Sequence, residues 1–101
     1  MTPQEAALQA VFARFAAAVQ AADAAAYRSL TVADAPLEQA LFLENAARVK
    51  ARGWTLKLRA LAIEGEVGVA RFELVDSKGQ RQDEGEATFT LENGGWQLRS
   101  L

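Results

Sequence analysis

The chain has 101 residues, room for a single domain spanning 1–101, and its 50% hydrophobic content includes 22 alanines, which leaves 29 larger apolar side chains for one two-layer core. Eleven Lys and Arg against 13 Asp and Glu give a net charge of −2, which argues against nucleic acid or an anionic membrane as partner. With no Cys and no His, the chain lacks disulfides, thiolate metal sites, thiol nucleophiles and the commonest general base.

The opening MTPQEAALQAVFARF has neither the basic start nor the apolar stretch of a secretory signal. No apolar run approaches the ~18–20 residues that span a bilayer, so a soluble, cytoplasmic protein without membrane association is expected. Thr2-Pro3-Gln4-Glu5 is a helix start, with Thr2 as cap, Pro3 in the first turn and Glu5 completing a capping box. Leu8, Val11, Phe12, Phe15 and Val19 then mark one apolar face through about Ala22. Asp23 is placed to cap a short second helix over Ala24 to Leu30 that carries Tyr27, and Leu30-Thr31-Val32 reads as a brief extended stretch. Asp34-Ala35-Pro36 opens a third helix. Its apolar stripes are Leu37 with Leu41, and Phe42 with Ala46 and Val49. Lys50 and Arg52 lie in its last turn and Gly53 at its left-handed stop.

From Trp54 the period becomes two. Strict alternation sends Trp54, Leu56, Leu58, Ala60 and Ala62 to one face of a strand and Leu61 and Ile63 to the other. A three-residue bend at Glu64-Gly65-Glu66 would pair Ile63 with Val67, Leu61 with Val69 and Leu58 with Phe72. In the second strand Gly68, Ala70, Phe72 and Leu74 then face inward. After a loop at Asp76-Ser77-Lys78-Gly79, a third strand carries Ala87, Phe89 and Leu91 on its inner face and Glu84, Glu86, Thr88 and Thr90 on its outer face. The turn Asn93-Gly94-Gly95 pairs Leu91 with Trp96 and Phe89 with Leu98. The fold class is α+β: N-terminal helices on one face of a four-stranded antiparallel meander, a cone-shaped roll.

This register leaves Leu61, Ile63, Val67 and Val69 together on the outer face, with Arg59, Arg71, Arg99, Glu84 and Glu86 beside them. An aliphatic centre with a charged rim is the pattern of a subunit or partner interface. The same register sets Arg59 opposite Arg71, a repulsive pair unless Glu84 or Glu86 intervenes. Between the layers, Tyr27, Asp34 and Glu44 are the candidate polar groups of a ligand cavity, and Trp54 and Trp96 could rim its mouth. Packing is the more common role for Tyr27 and for the two tryptophans, and helix capping for Asp34. Asp83 alternates away from Glu84 and Glu86, too few oxygen ligands on one face for a metal, and no glycine pattern cradles a phosphate, so neither metal nor cofactor is expected.

Helices followed by a meander, an Asp opening the second helix in Gln20-Ala21-Ala22-Asp23-Ala24, and a closing hairpin Phe89-Thr90-Leu91-Glu92-Asn93-Gly94-Gly95-Trp96-Gln97-Leu98 together resemble the nuclear transport factor 2-like superfamily, a cystatin-like α+β roll. The resemblance implies a conical fold that is often dimeric through the outer sheet face. Only Leu30 to Ala35 separates the second and third helices, so this would be a short member. The superfamily's isomerases use a tyrosine on the first helix with acids in the cavity. Here Phe12 and Phe15 hold the helix positions and the inner sheet face is read as having no acid, so isomerase chemistry is carried to no residue. The leading expectation is a non-catalytic binding or interaction domain that forms a homodimer, or docks a partner, through the outer sheet face. The alternative is a small-molecule-binding protein, or an isomerase- or cyclase-like enzyme, that uses the cavity under the helices.

Overall fold

The structure, a computed structural model, describes residues 2–32 and 36–100, with side chains at all of these except 36–41 and 43. Three helices precede four strands: α1 (Pro3–Ala21), α2 (Ala24–Leu30), α3 (Pro36–Arg52), β1 (Thr55–Glu64), β2 (Val67–Val75), β3 (Arg81–Glu92) and β4 (Gly95–Ser100). The strands form one antiparallel sheet in the order β1-β2-β3-β4.

The helix ends follow local chemistry. Thr2 Oγ1 accepts the Glu5 backbone N–H at 3.1 Å and donates to the Glu5 carboxylate, while Ala22 closes α1 in the left-handed conformation at φ 53°. Asp23 Oδ1 accepts the Ala26 N–H at 3.1 Å and so caps α2. Gly53, at φ 65°, ends α3, and the Trp54 N–H returns to the Val49 carbonyl. The extended stretch after α2 is present as a parallel bridge from Thr31 to Leu98, with the Val32 N–H donating to the Leu98 carbonyl at 3.0 Å. It ties the helical layer to the outer edge of β4.

The core lies between α1 and the sheet. Leu8, Phe12, Phe15 and Val19 of α1 meet Ala70, Leu74, Ala87, Phe89, Trp96 and Leu98, all buried. Gly68 lets α1 approach β2 closely: a Cβ there would sit 2.6 Å from Leu8 Cδ2 and 3.4 Å from the Trp96 ring. The last hairpin has the expected register, Phe89 opposite Leu98 and Leu91 opposite Trp96, across Asn93 and Gly94, both at positive φ. In the loop before β3, Asp76 accepts the Lys78 and Gln80 N–H groups through Oδ1 and the Gln82 side-chain amide through Oδ2.

The first hairpin departs from strict alternation. Its turn has two residues, Gly65 and Glu66, so Glu64 faces Val67, and a β-bulge lies between Leu58 and Ala60. Leu58 still pairs with Phe72, but beyond the bulge Leu61 pairs with Ala70 and Ile63 with Gly68. The extra residue reverses the side-chain parity of the strand. Leu61 and Ile63 therefore pack against the core, and Ala60 and Ala62 take the exposed positions. The expected outward placement of Leu61 and Ile63 is corrected on this point. Burying two large aliphatics in place of two alanines removes more apolar surface from water, which favours the bulge.

Candidate functional site

α3 packs along α1 and α2 and stands off the sheet. β4 is half the length of β3 and pairs only with Thr88–Glu92, so the N-terminal part of β3 is a free edge. Between α3 and that edge opens a cleft of about 250 Å³. Phe15 and Val19 of α1 form its back wall. Phe42, Ala46 and Val49 of α3, spaced by three or four residues, form its roof. Leu56, Phe72 and Leu74 form its floor. Gly85, opposite Phe72, leaves room for that ring: a Cβ at 85 would lie 2.9 Å from Phe72 Cζ.

The mouth is polar. Asn45 and Arg48 come from α3, and the Arg48 guanidinium donates to Asn45 Oδ1 at 3.5 Å. Asp83 comes from the sheet side, opposite Leu74 in the register and hence on the core-facing side. Its Oδ1 accepts the Glu84 backbone N–H at 2.8 Å. All three side chains are exposed. The reading of an inner face without acid is thus corrected: β3 extends back to Arg81, and alternation from Phe89 through Ala87 and Gly85 brings Asp83 inward. Asn45, one turn from Phe42 and Val49, and Arg48 adjoin the apolar stripe of α3 at helical spacing, a signal they share with any polar residue flanking such a stripe.

The expected cavity residues lie elsewhere. Tyr27 is fully buried and stacks on Phe42 at 3.9 Å between centroids and 11° between planes, so it supports the roof from behind. Glu44 is exposed and does not line the cleft. Trp54 is half-buried beneath the Arg52 guanidinium, 5.1 Å from its ring, and Trp96 is buried at the closed end of the core. Asp34 lies outside the described residues.

On the outer face, Arg59 and Arg71 are not paired with each other. The bulge gives Arg59 to Glu73, with Nη2 to Oε2 at 2.6 Å, and Arg71 faces Glu86 at 3.5 Å. Glu84 bridges to Arg81, and Arg99 to Glu92 at 2.9 Å. Val69, Ala62 and the exposed Val67 remain as a reduced aliphatic patch around a shallow hollow. The hydrogen bond from Arg59 holds the Glu73 carboxyl below its ordinary range against the opposing effect of burial, with Arg59, Arg81 and Lys57 charges adding to the lowering. A carboxyl with a lower pKa in the folded state adds stability above its unfolded pKa and loses it as pH falls through the folded value. The Tm of the wild type should therefore exceed that of Arg59→Gln at pH 7, and the gap should narrow as pH falls below the ordinary carboxyl range and through the lower folded value. A gap unchanged by acid would refute the pairing as its source.

Among the described residues no helix is long and apolar enough to cross a membrane, and no three Asp or Glu side chains gather as a metal site requires. By sequence, no protein-family model and no curated protein matches the chain. Solved structures do match in shape. A Campylobacter jejuni protein described as an NTF2-like transpeptidase superposes with a TM-score of 0.70 at 13% identity, over 89% of this chain and 95% of that one. An NTF2-like protein with a cystatin-like fold from Novosphingobium aromaticivorans gives 0.61 at 19% identity, over 94% and 77%. The fold is nuclear transport factor 2-like. A conserved protein from Planctomyces limnophilus agrees, with a TM-score of 0.58 at 20% identity over 95% and 91% of the two chains.

Proposed function

We propose that this chain is a binding domain that holds a small, largely apolar molecule in the cleft beneath α3. The observation that carries the reading is a partly enclosed volume of about 250 Å³ with an apolar lining of aromatic and aliphatic side chains and polar groups confined to its mouth. That volume suits roughly a dozen non-hydrogen atoms, below the size of a typical drug pocket. A binding role is favoured over acyl transfer such as transpeptidation because no Ser, Thr, Tyr or Lys stands among the described residues lining the cleft, and the chain has no Cys. Titration with indole, followed by amide NMR, should give saturable shifts confined to the segments around Phe15, Phe42–Val49, Leu56, Phe72 and Asp83–Glu86. Asn45→Trp, which fills the mouth without touching the core, should weaken binding by about tenfold or more. Unsaturable or scattered shifts would remove the reading.

A second reading, a homodimer through the outer sheet face, is supported by Val67 at 43% exposure beside Val69 and Ala62. The mixed-sign face of Arg59, Arg71 and Arg99 with Glu73, Glu84 and Glu86 suits a two-fold copy of itself better than a partner of one charge. Light scattering should then show a dimer for the wild type and a monomer for Val67→Glu. A wild-type monomer at high concentration would end this reading.

A further inference from the structure

The charges at the cleft mouth point to a more specific ligand, an inference that rests on the cleft reading above. Every charged residue of β2, β3 and β4 takes part in an ion pair except Asp83: Arg71 with Glu86, Glu73 with Arg59, Arg81 with Glu84, and Arg99 with Glu92. Asp83 is also the one acid on the core-facing side of these strands, and its Oδ2 accepts no hydrogen bond among the described residues. Across the mouth, Arg48 has Glu44 four residues before it on α3, the spacing and order that favour an ion pair on a helix. It forms none, and donates instead to Asn45 at the mouth. The cleft therefore has one uncommitted anion on its sheet side and one uncommitted cation on its helix side, with an apolar floor between them.

We propose that the cleft takes a zwitterion with an apolar side chain, of which a free aromatic or large aliphatic α-amino acid is the simplest form. The ligand carboxylate meets Arg48, whose planar guanidinium suits bidentate contact, with the Asn45 amide beside it. The ligand ammonium meets Asp83. The side chain enters between Phe15, Phe42 and Phe72. A ligand of one charge satisfies one side only, and a net-neutral pair of charges matches the one cation and the one anion of the lining that are free of ion pairs, Glu84 and Glu86 being engaged by Arg81 and Arg71.

The test compares L-phenylalanine with 3-phenylpropionate, which lacks the amine, and 2-phenylethylamine, which lacks the carboxylate, by amide NMR titration of the intact chain. L-Phenylalanine should bind about tenfold tighter than either analogue. Arg48→Gln should bring its affinity down to that of the amine while leaving the amine unaffected, and Asp83→Asn should do the converse with the propionate. Both positions are exposed, so the variants keep the fold. If indole binds in the cleft but L-phenylalanine is no better than the single-charge analogues, the zwitterion assignment fails and the cleft reading stands. If L-phenylalanine is tighter but neither substitution lowers its affinity, the assigned contacts are wrong and the inference fails. If neither indole nor any of the three binds there, both fail.

Discussion

Phe89→Ala should cost about 3–5 kcal/mol of folding stability. Phe89 is fully buried where α1 crosses the centre of the sheet, and its ring meets Phe15 edge-on, 6.4 Å between centroids and 86° between planes. Phe15 in turn packs against Phe12 and Phe72 at 5.8 and 6.0 Å, so the truncation removes the ring on which this cluster rests. The backbone on both sides of Phe89 is held in the β2–β3–β4 ladder, which limits collapse into the space left behind. Small domains have only about 5–15 kcal/mol in total, so the loss should lower Tm by roughly 15–30 °C. Thermal and urea unfolding followed by far-UV circular dichroism measure it. A loss below about 1 kcal/mol would mean that the core is not centred here.

The second large effect separates two residues that strict alternation treats alike. Ile63→Glu should destabilise by about 2–3 kcal/mol, and Val67→Glu should stay within about 0.5 kcal/mol. Ile63 packs against the core beside Gly68, where Leu8 and Trp96 press closely on β2, so a carboxylate there loses water without gaining a cation. Val67 is the large apolar residue most open to solvent among the described residues. The comparison is a direct probe of the bulge between Leu58 and Ala60, because an unbulged strand would put both side chains on the same outer face and give both substitutions small costs. Equal losses in the two variants would refute the register.

The difference between these two residues shows where sequence patterning reaches its limit. Leu56 and Leu58 are spaced by two, as are Leu61 and Ile63, but three positions separate Leu58 from Leu61. That phase slip is visible in the sequence. It admits two solutions: an outer apolar patch on a regular strand, or a bulge that turns all four inward. The choice depends on the neighbouring strand and on the helix above it. Regular alternation through β1 leads to the first solution, whereas the two-residue Gly65-Glu66 turn shifts the pairing by one and the bulge absorbs the shift before Leu58 meets Phe72. The candidate site was harder to read for the same reason. Asp83 belongs to the inner face by parity alone, but that a space lies in front of it follows from β4 stopping short and α3 leaning on α1, facts that involve residues far apart in the chain.

What the sequence determined by itself is local. Thr2 and Asp23 open two helices, Gly53 closes a third and Asn93-Gly94 turns the last hairpin, because each supplies a backbone hydrogen bond or a positive φ within a few residues of itself. The order of three helices and four strands follows from apolar periodicity, which is likewise a short-range property. Only the tertiary structure decided which way Leu61 and Ile63 point, which arginine meets which glutamate, and where the helical layer leaves the sheet uncovered. Those outcomes depend on the balance of buried surface and strand register between segments distant in sequence, and no single segment carries that balance.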